Sequence, residues 1–291
     1  MLNSLGREIP EYIEGIGKLE PFQGALAKLR KGWMSEPTIP APNRAYLPHQ
    51  SKLCKSLEEA ILRSNPHNGM TVSFHHHLRN GDILLVQTLT ILHNMGIREI
   101  TLASSSLNEC HDPILPYLKD RTVTRIFSSG IRNQLGRAIA LGILDTPVVI
   151  HSHGGRVRGI HTGKIKIDLA IIPASAADCE GNATGSHGKS AFGSIGYAVI
   201  DARYAKEVIV VTDNLVDYPC IPLSISQNFI DHVVVVDSIG DASKIATGTT
   251  RITKSPMDLR IAKIAADVVP AVVLYRNMVP AVVLATVVST V

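Results

Sequence analysis

Three consecutive histidines, His75 to His77, close an apolar run, and His151 and His153 form a second close pair. On a strand, alternate side chains share a face, so His75 and His77 would point one way and His76 the other. Four imidazoles converging from two strand ends would suit zinc. Neither pair has an Asp or Glu close in sequence to orient a ring or add a ligand. The other reading is that neutral histidines line a polar cleft, and no bound metal is expected.

Other stretches suit anions. Ser128, Ser129 and Gly130 join an expected strand to an expected helix, where backbone N–H groups favour an anion and Arg132 falls in the first turn. Capping alone would also account for them. "HSHGGRVRGIHTGK" reads as a loop in which Arg156, Arg158 and Lys164 stand among four glycines. Glycine permits close backbone approach, and arginine suits carboxylates and phosphates. A solvated surface loop is the plain alternative.

The segment "ASAADCEGNATGSHGKSAFGSIGY" is long and made of small residues, as functional loops at strand ends often are. Ser175 and Cys179 are nucleophile types, but no histidine–acid pair stands beside them. Glu180 is the carboxylate best placed by context, ahead of Glu109 and Asp178.

These residues need elements to hold them. "GMTVSFH", "REITLAS", "TVTRIFS", "PVVIHS", "IDLAIIPAS", "GYAVID", "EVIVVTD" and "HVVVVDS" read as strands. "LEEAILRS", entered through the capping-box pair Ser56 and Glu59, reads as a helix. So do "GDILLVQTLTILHNMG", "GIRNQLGRAIALGIL" and "SPMDLRIAKIAAD", with a short helix capped by Asp112 before Pro113. The alternation predicts an open α/β/α fold on a mostly parallel sheet. Ligands of such folds bind at the carboxyl ends of the strands. The loops to watch therefore begin at His75, Ser104, Ser128, His151 and Ala174.

Composition agrees. The 291 residues are 45% hydrophobic and only 4% aromatic, which favours aliphatic α/β packing. A net charge of +4, spread along the chain, forms neither a nucleic-acid stripe nor a membrane patch. Four separated cysteines without a CxxC pair, and an amino terminus without a signal-like apolar core, suggest a reduced, cytoplasmic protein. Three regions are expected: an arm at 1–50 containing the proline-rich "EPTIPAPNRAYLP", an α/β domain at 51–268, and an apolar tail at 269–291. Prolines and polar residues make that tail a poor membrane span.

Taken as a set, "GMTVSFHHHLRNGD", "SSGIRNQLG", "IHSHGGR", "DLAIIPASAADCEGNATGSHGKSAFGSIGYA" and "VIVVTDNLV" closely resemble the citrate lyase α-subunit family, within the wider class I coenzyme A transferases. The resemblance runs from about Met1 to Val268. It implies a CoA-transferase (NagB/RpiA-like) fold in two similar halves and an exchange of acetate for citrate on a thioester-bearing acyl carrier. The thioester belongs to a coenzyme A-derived prosthetic group or to CoA itself, and no tightly bound cofactor or metal takes part. The β and γ (acyl-carrier) subunits would be partners in an oligomer. Glu180-Gly181-Asn182 would correspond to the family's "hGN" turn. The contacts to acid or carrier would fall on His75, His77, Ser129, Arg132, His153, Arg156, Arg158, Gly181 and Asn182. The attacking glutamate lies in a second half that "PAVVLYRNMVPAVVL" does not match, so the chain reads as shortened there. Two further readings stand beside this one: a non-catalytic module that docks the carrier or sibling subunits, and a histidine-based metal hydrolase.

Overall fold

In the computed structural model of the protein, which describes residues 1–2, 7–14, 17–19, 51–75, 77–196, 198–245 and 255–268, the apolar runs become one parallel sheet. The proline-rich stretch at 36–48 and the tail at 269–291 lie outside the described residues.

In chain order, β1 (Tyr12–Ile13) and β2 (Gly17–Lys18) pair antiparallel. Next come β3 (Leu53–Cys54), α1 (Leu57–Arg63), β4 (Thr71–Phe74), α2 (Leu84–Asn94) and β5 (Ile100–Ser104). They are followed by α3 (Leu115–Lys119), β6 (Val123–Ser128), α4 (Asn133–Ala140), β7 (Val149–Ile150), α5 (His153–His161) and β8 (Leu169–Ala174). A small antiparallel ribbon, β9 (Ala176–Ala177) with β10 (Ala183–Thr184), precedes α6 (Ala198–Tyr204), β11 (Glu207–Thr212) and β12 (His232–Val235). These elements belong to a unit spanning Met1–Ala242, while α7 (Pro256–Val268) belongs to a second unit.

The eight-stranded sheet has the order β3-β12-β11-β8-β4-β5-β6-β7. Every pair in it is parallel. From β4 the chain winds outward through β5, β6 and β7. It then returns to β8, on the other side of β4, and continues through β11 and β12. The order reverses between β4 and β8, and a crevice forms at the carboxyl ends of such a pair. Strand β8 is buried along its whole length and β11 along all but its first residue, which explains the apolar runs in both. Each Ile, Val or Leu so buried contributes roughly 1.5–3 kcal/mol.

Several helix signals act as expected. Ser56 Oγ accepts from the Glu59 N–H at 3.1 Å, and Glu59 accepts from the Lys55 N–H at 2.7 Å, one residue before the cap. Asp82 lies at the start of α2, and Gly96 ends it at φ +80°.

Three expectations are corrected. "GYAVID" is not a strand but leads into α6, whose buried Ala198, Asp201 and Ala202 have i, i+3, i+4 spacing. So short an apolar run carries no decisive period. "HSHGGRVRGIH" is not a loop either: it folds as α5, capped by Ser152 Oγ on the Gly155 N–H at 3.0 Å. Its glycines serve packing, since a Cβ on Gly159 would lie 2.9 Å from Ile165 Cδ1. Asp112 does not cap its own helix. Asn108 starts that turn, and Asp112 Oδ1 accepts from the Leu135 N–H of α4 at 2.9 Å.

Candidate functional site

At the switch between β4 and β8, four buried polar side chains meet. Ser73 lies in β4 and His75 follows its end; Arg156 comes from α5 and Asp201 from α6. Asp201 Oδ2 accepts from Arg156 Nη2 at 2.6 Å and from the Ser73 hydroxyl, while Arg156 Nη2 also donates to Ser73 Oγ at 2.8 Å. His75 Nε2 stands 2.9 Å from the same carboxylate oxygen. Arg156 and Asp201 are both wholly inaccessible to solvent.

The expectation that no acid orients these histidines is thus overturned. Asp201 does so from a distant helix, and separation along the chain concealed it. Burial by itself would raise the Asp201 pKa, but Arg156 and then His75 hold it far below the ordinary carboxylate range. Burial lowers the His75 pKa despite Asp201, and Arg156 adds to the lowering. Burial, then the neighbouring His75, takes His77 down to about 3. Both rings are therefore neutral near pH 7, and they offer hydrogen bonds rather than charge.

The rings form a column. His75 stacks on His77 at 5.5 Å and 16°, and His77 stacks on Phe192 at 4.5 Å and 3°. His77 Nε2 lies 2.9 Å from the Ile195 carbonyl oxygen. A carbonyl only accepts, so Nε2 carries the proton and Nδ1 bears a lone pair. That buried Nδ1 has no partner among the described residues, and nor do Arg156 Nε and Nη1 or Asp201 Oδ1. Gly185 makes room for the column, because a Cβ there would run into the Phe192 ring.

A second buried carboxylate shapes the loop after β8. Asp178 Oδ1 accepts the N–H groups of Glu180 (3.0 Å), Gly181 (2.9 Å) and Asn182 (3.1 Å). Its Oδ2 accepts from Asn182 Nδ2 at 2.8 Å and the Cys220 N–H at 2.9 Å. The Asn182 amide also exchanges hydrogen bonds with Gln227, from Nδ2 to Oε1 at 2.9 Å and from Gln227 N–H to Oδ1 at 3.1 Å. Gly181 adopts φ +104° and lies so close to Ile230 that a Cβ would approach to 2.9 Å. The expected "EGN" turn exists, built by an Asp that sequence reasoning had ranked low.

The remaining candidates scatter. Ser175 Oγ donates to the His187 carbonyl at 2.6 Å, so its hydroxyl serves the loop. Burial, with Asp178 and Glu180 behind it, raises the Cys179 thiol pKa, the opposite of activation. Ser129 Oγ is buried with no partner among the described residues. Arg132 is exposed and donates to Asn108 Oδ1 at 3.0 Å. His153 and Arg158 are exposed on α5, and Glu109 is exposed at the start of its turn. The two histidine pairs rise from β4 and β7, three strand spacings or about 14 Å apart across the sheet. Among the described residues no three His, Cys, Asp or Glu side chains group as a metal site, and no helix is long and apolar enough to cross a membrane. Sequence reasoning missed Ser73, Asp201 and Phe192. The one available signal was Asp201, an acid within the apolar run "YAVIDA".

Comparison with known proteins bears on this arrangement. The family model described as "Citrate lyase, alpha subunit (CitF)" matches residues 50–280. The chain belongs to the citrate lyase α-subunit family. The match begins after the arm and extends beyond Val268, where the sequence resemblance was taken to stop. The citrate lyase alpha chain of Escherichia coli K12 is 46% identical over 232 residues, covering 79% of this chain and 46% of its own length. A Streptococcus mutans structure, described as the alpha subunit of citrate lyase in complex with citrate, superposes with a TM-score of 0.81 at 43% identity. It covers 94% of this chain and 52% of the other. The chain therefore spans about half the length of the relatives it matches. An acyl-CoA transferase from E. coli O157:H7 shares the fold at TM-score 0.51 and 13% identity, over 77% of this chain and 55% of that one. The α/β architecture on a mostly parallel sheet is thus that of the coenzyme A transferases.

Proposed function

We propose that the chain acts as a citrate lyase α subunit, replacing acetate by citrate on the thioester of an acyl carrier. One observation carries this reading: the 43%-identical structure that covers 94% of the chain is described in complex with citrate. The switch-point crevice between β4 and β8 is where this fold offers a small acid a seat. His75 and His77, neutral and fixed, would give citrate directional hydrogen bonds, and the Asp178-built turn would form the opposite wall. Ser129, Arg132 and His153 stand near neighbouring strand ends and Arg158 lies further along α5, where the carrier's phosphates or the acid's outer carboxylates would reach them. Arg156 acts from beneath, through Asp201.

The acyl group would move on a coenzyme A-type thioester, supplied by a carrier (γ) subunit in a complex that also holds a β subunit. A carboxylate would attack that thioester. Glu180 sits in the held turn and belongs to the wall, and the nucleophile would be a glutamate in the half that family members carry beyond this chain's match. The test is titration calorimetry of the 291-residue chain with citrate, together with acetyl-carrier exchange assays of wild type and Glu180→Gln. Saturable citrate binding is expected, with little or no exchange by either form of this chain, since the attacking glutamate would lie outside it. Absence of citrate binding would overturn the proposal, and robust exchange abolished by Glu180→Gln would return the nucleophile to this turn.

A further inference from the structure

We infer that Asp201, charge-balanced by Arg156 and braced by Ser73, is a positioning residue that sets the tautomer and orientation of the His75–His77–Phe192 column, and through it the citrate-facing wall. This rests on the citrate reading for its ligand but not for its geometry.

The argument starts from a single oxygen. Asp201 Oδ2 accepts from Ser73 and Arg156 and faces His75 Nε2 at 2.9 Å. The approach falls outside good hydrogen-bond geometry, but at 2.9 Å a lone pair on Nε2 would face an ionised carboxylate, which can only accept, and be repelled, so the proton belongs on His75 Nε2. That choice fixes which nitrogen of His75 is left as acceptor and fixes the plane of its ring. The plane passes along the stack, with tilts of only 16° and 3°. At the far end the column is pinned again, where His77 Nε2–H meets the Ile195 carbonyl at 2.9 Å. The column is therefore clamped between helix α6 beneath and the 191–196 segment above.

A buried ion pair is a poor device for stability alone, since desolvation offsets most of its attraction. Here the pair also leaves Arg156 Nε and Nη1 and Asp201 Oδ1 without partners among the described residues. A plain strut would leave fewer buried polar atoms unmatched. The node accounts instead for an imposed tautomer, the usual service of a carboxylate behind a functional histidine.

The experiment compares the wild-type 291-residue chain with the double variant Asp201→Asn/Arg156→Gln. Both charges leave together in the variant, so none is stranded. Two-bond proton–nitrogen correlations report the imidazole tautomers, and calorimetry reports citrate affinity. The wild type should show His75 and His77 as single Nε2–H tautomers. The double variant should show His75 as a tautomer mixture, with citrate affinity down by roughly tenfold, as expected for the loss of one well-placed hydrogen bond. A folded double variant that keeps both tautomers overturns the inference and leaves the citrate reading standing. A tautomer change in a chain whose wild type binds no citrate upholds the positioning role and overturns the citrate reading. If the double variant does not fold, Ser73→Ala keeps the charge pair and removes one brace. Altered His75 resonances with weaker citrate binding then support the inference, and unchanged resonances overturn it.

Discussion

Asp178 and Asp201 are both fully buried, yet their carboxylates collect different donors. Asp178 gathers five neutral ones: three N–H groups of the turn that follows it, the Asn182 amide and the Cys220 N–H. Both of its oxygens are used. Asp201 gathers side chains from α5 and β4, all on one oxygen, and its other oxygen has no partner among the described residues. A carboxylate that satisfies its own loop builds a rigid turn. One that holds a guanidinium, a hydroxyl and an imidazole brings three distant segments to a point. It controls protonation there, at the cost of unmatched valence.

The sharpest way to break the comparison is to strand a charge. Arg156→Met should lower folding stability by about 3–5 kcal/mol in urea denaturation, because Asp201 is left buried without its counter-ion. A loss below about 1 kcal/mol would mean that the carboxylate rehydrates, and that the node is not the dry assembly described.

Asp178→Ala should cost less, about 3 kcal/mol, because its neutral donors can turn to water once the turn loosens. The amides of Gly181, Asn182 and Cys220 should lose hydrogen-exchange protection, while those of β4 keep theirs. Loss of protection in β4 as well would show that the two nodes are one cooperative unit.

Acid should separate them further. The folded pKa of His77, about 3, lies below its ordinary 6.5, so the unfolded chain binds the extra proton first. Its contribution is complete above pH 6.5 and is lost as pH falls toward 3, and His75 shifts in the same direction. Denaturation at pH 5 should give a stability about 1–2 kcal/mol below that at pH 7.5. His77→Phe, which keeps the stack, should flatten much of that slope. An unchanged slope would mean that His77 is hydrated and ordinary.

The smallest effect marks the baseline. Ser56→Ala removes a cap far from both nodes and should cost about 1 kcal/mol, with citrate affinity unchanged. A fall in affinity here would show that global stability, rather than either node, governs binding.

Much of the fold was legible because its signals are local. Strand β8 and the centre of β11 are apolar without a break, the Ser56 cap and the Gly96 stop sit at fixed offsets, and strand–helix alternation leaves few topologies open. Elements of ambiguous period were misread. Helix α6 is short and apolar, and the glycines of α5 mimic a loop until Ile165 is seen packing against Gly159.

By itself the sequence determined the sheet's strands except the short β3, the strand ends that carry the candidate residues, and the family. The tertiary structure alone decided which of those residues meet. Asp201 lies 126 positions from His75 and Arg156 lies 83 from Ser73, and no local pattern encodes such pairings. They arise because β8 returns beside β4 and lays α5 and α6 over the same strand end. In that dry space an acid and a guanidinium must find each other, and the histidine beside them must yield its proton preference to the pair.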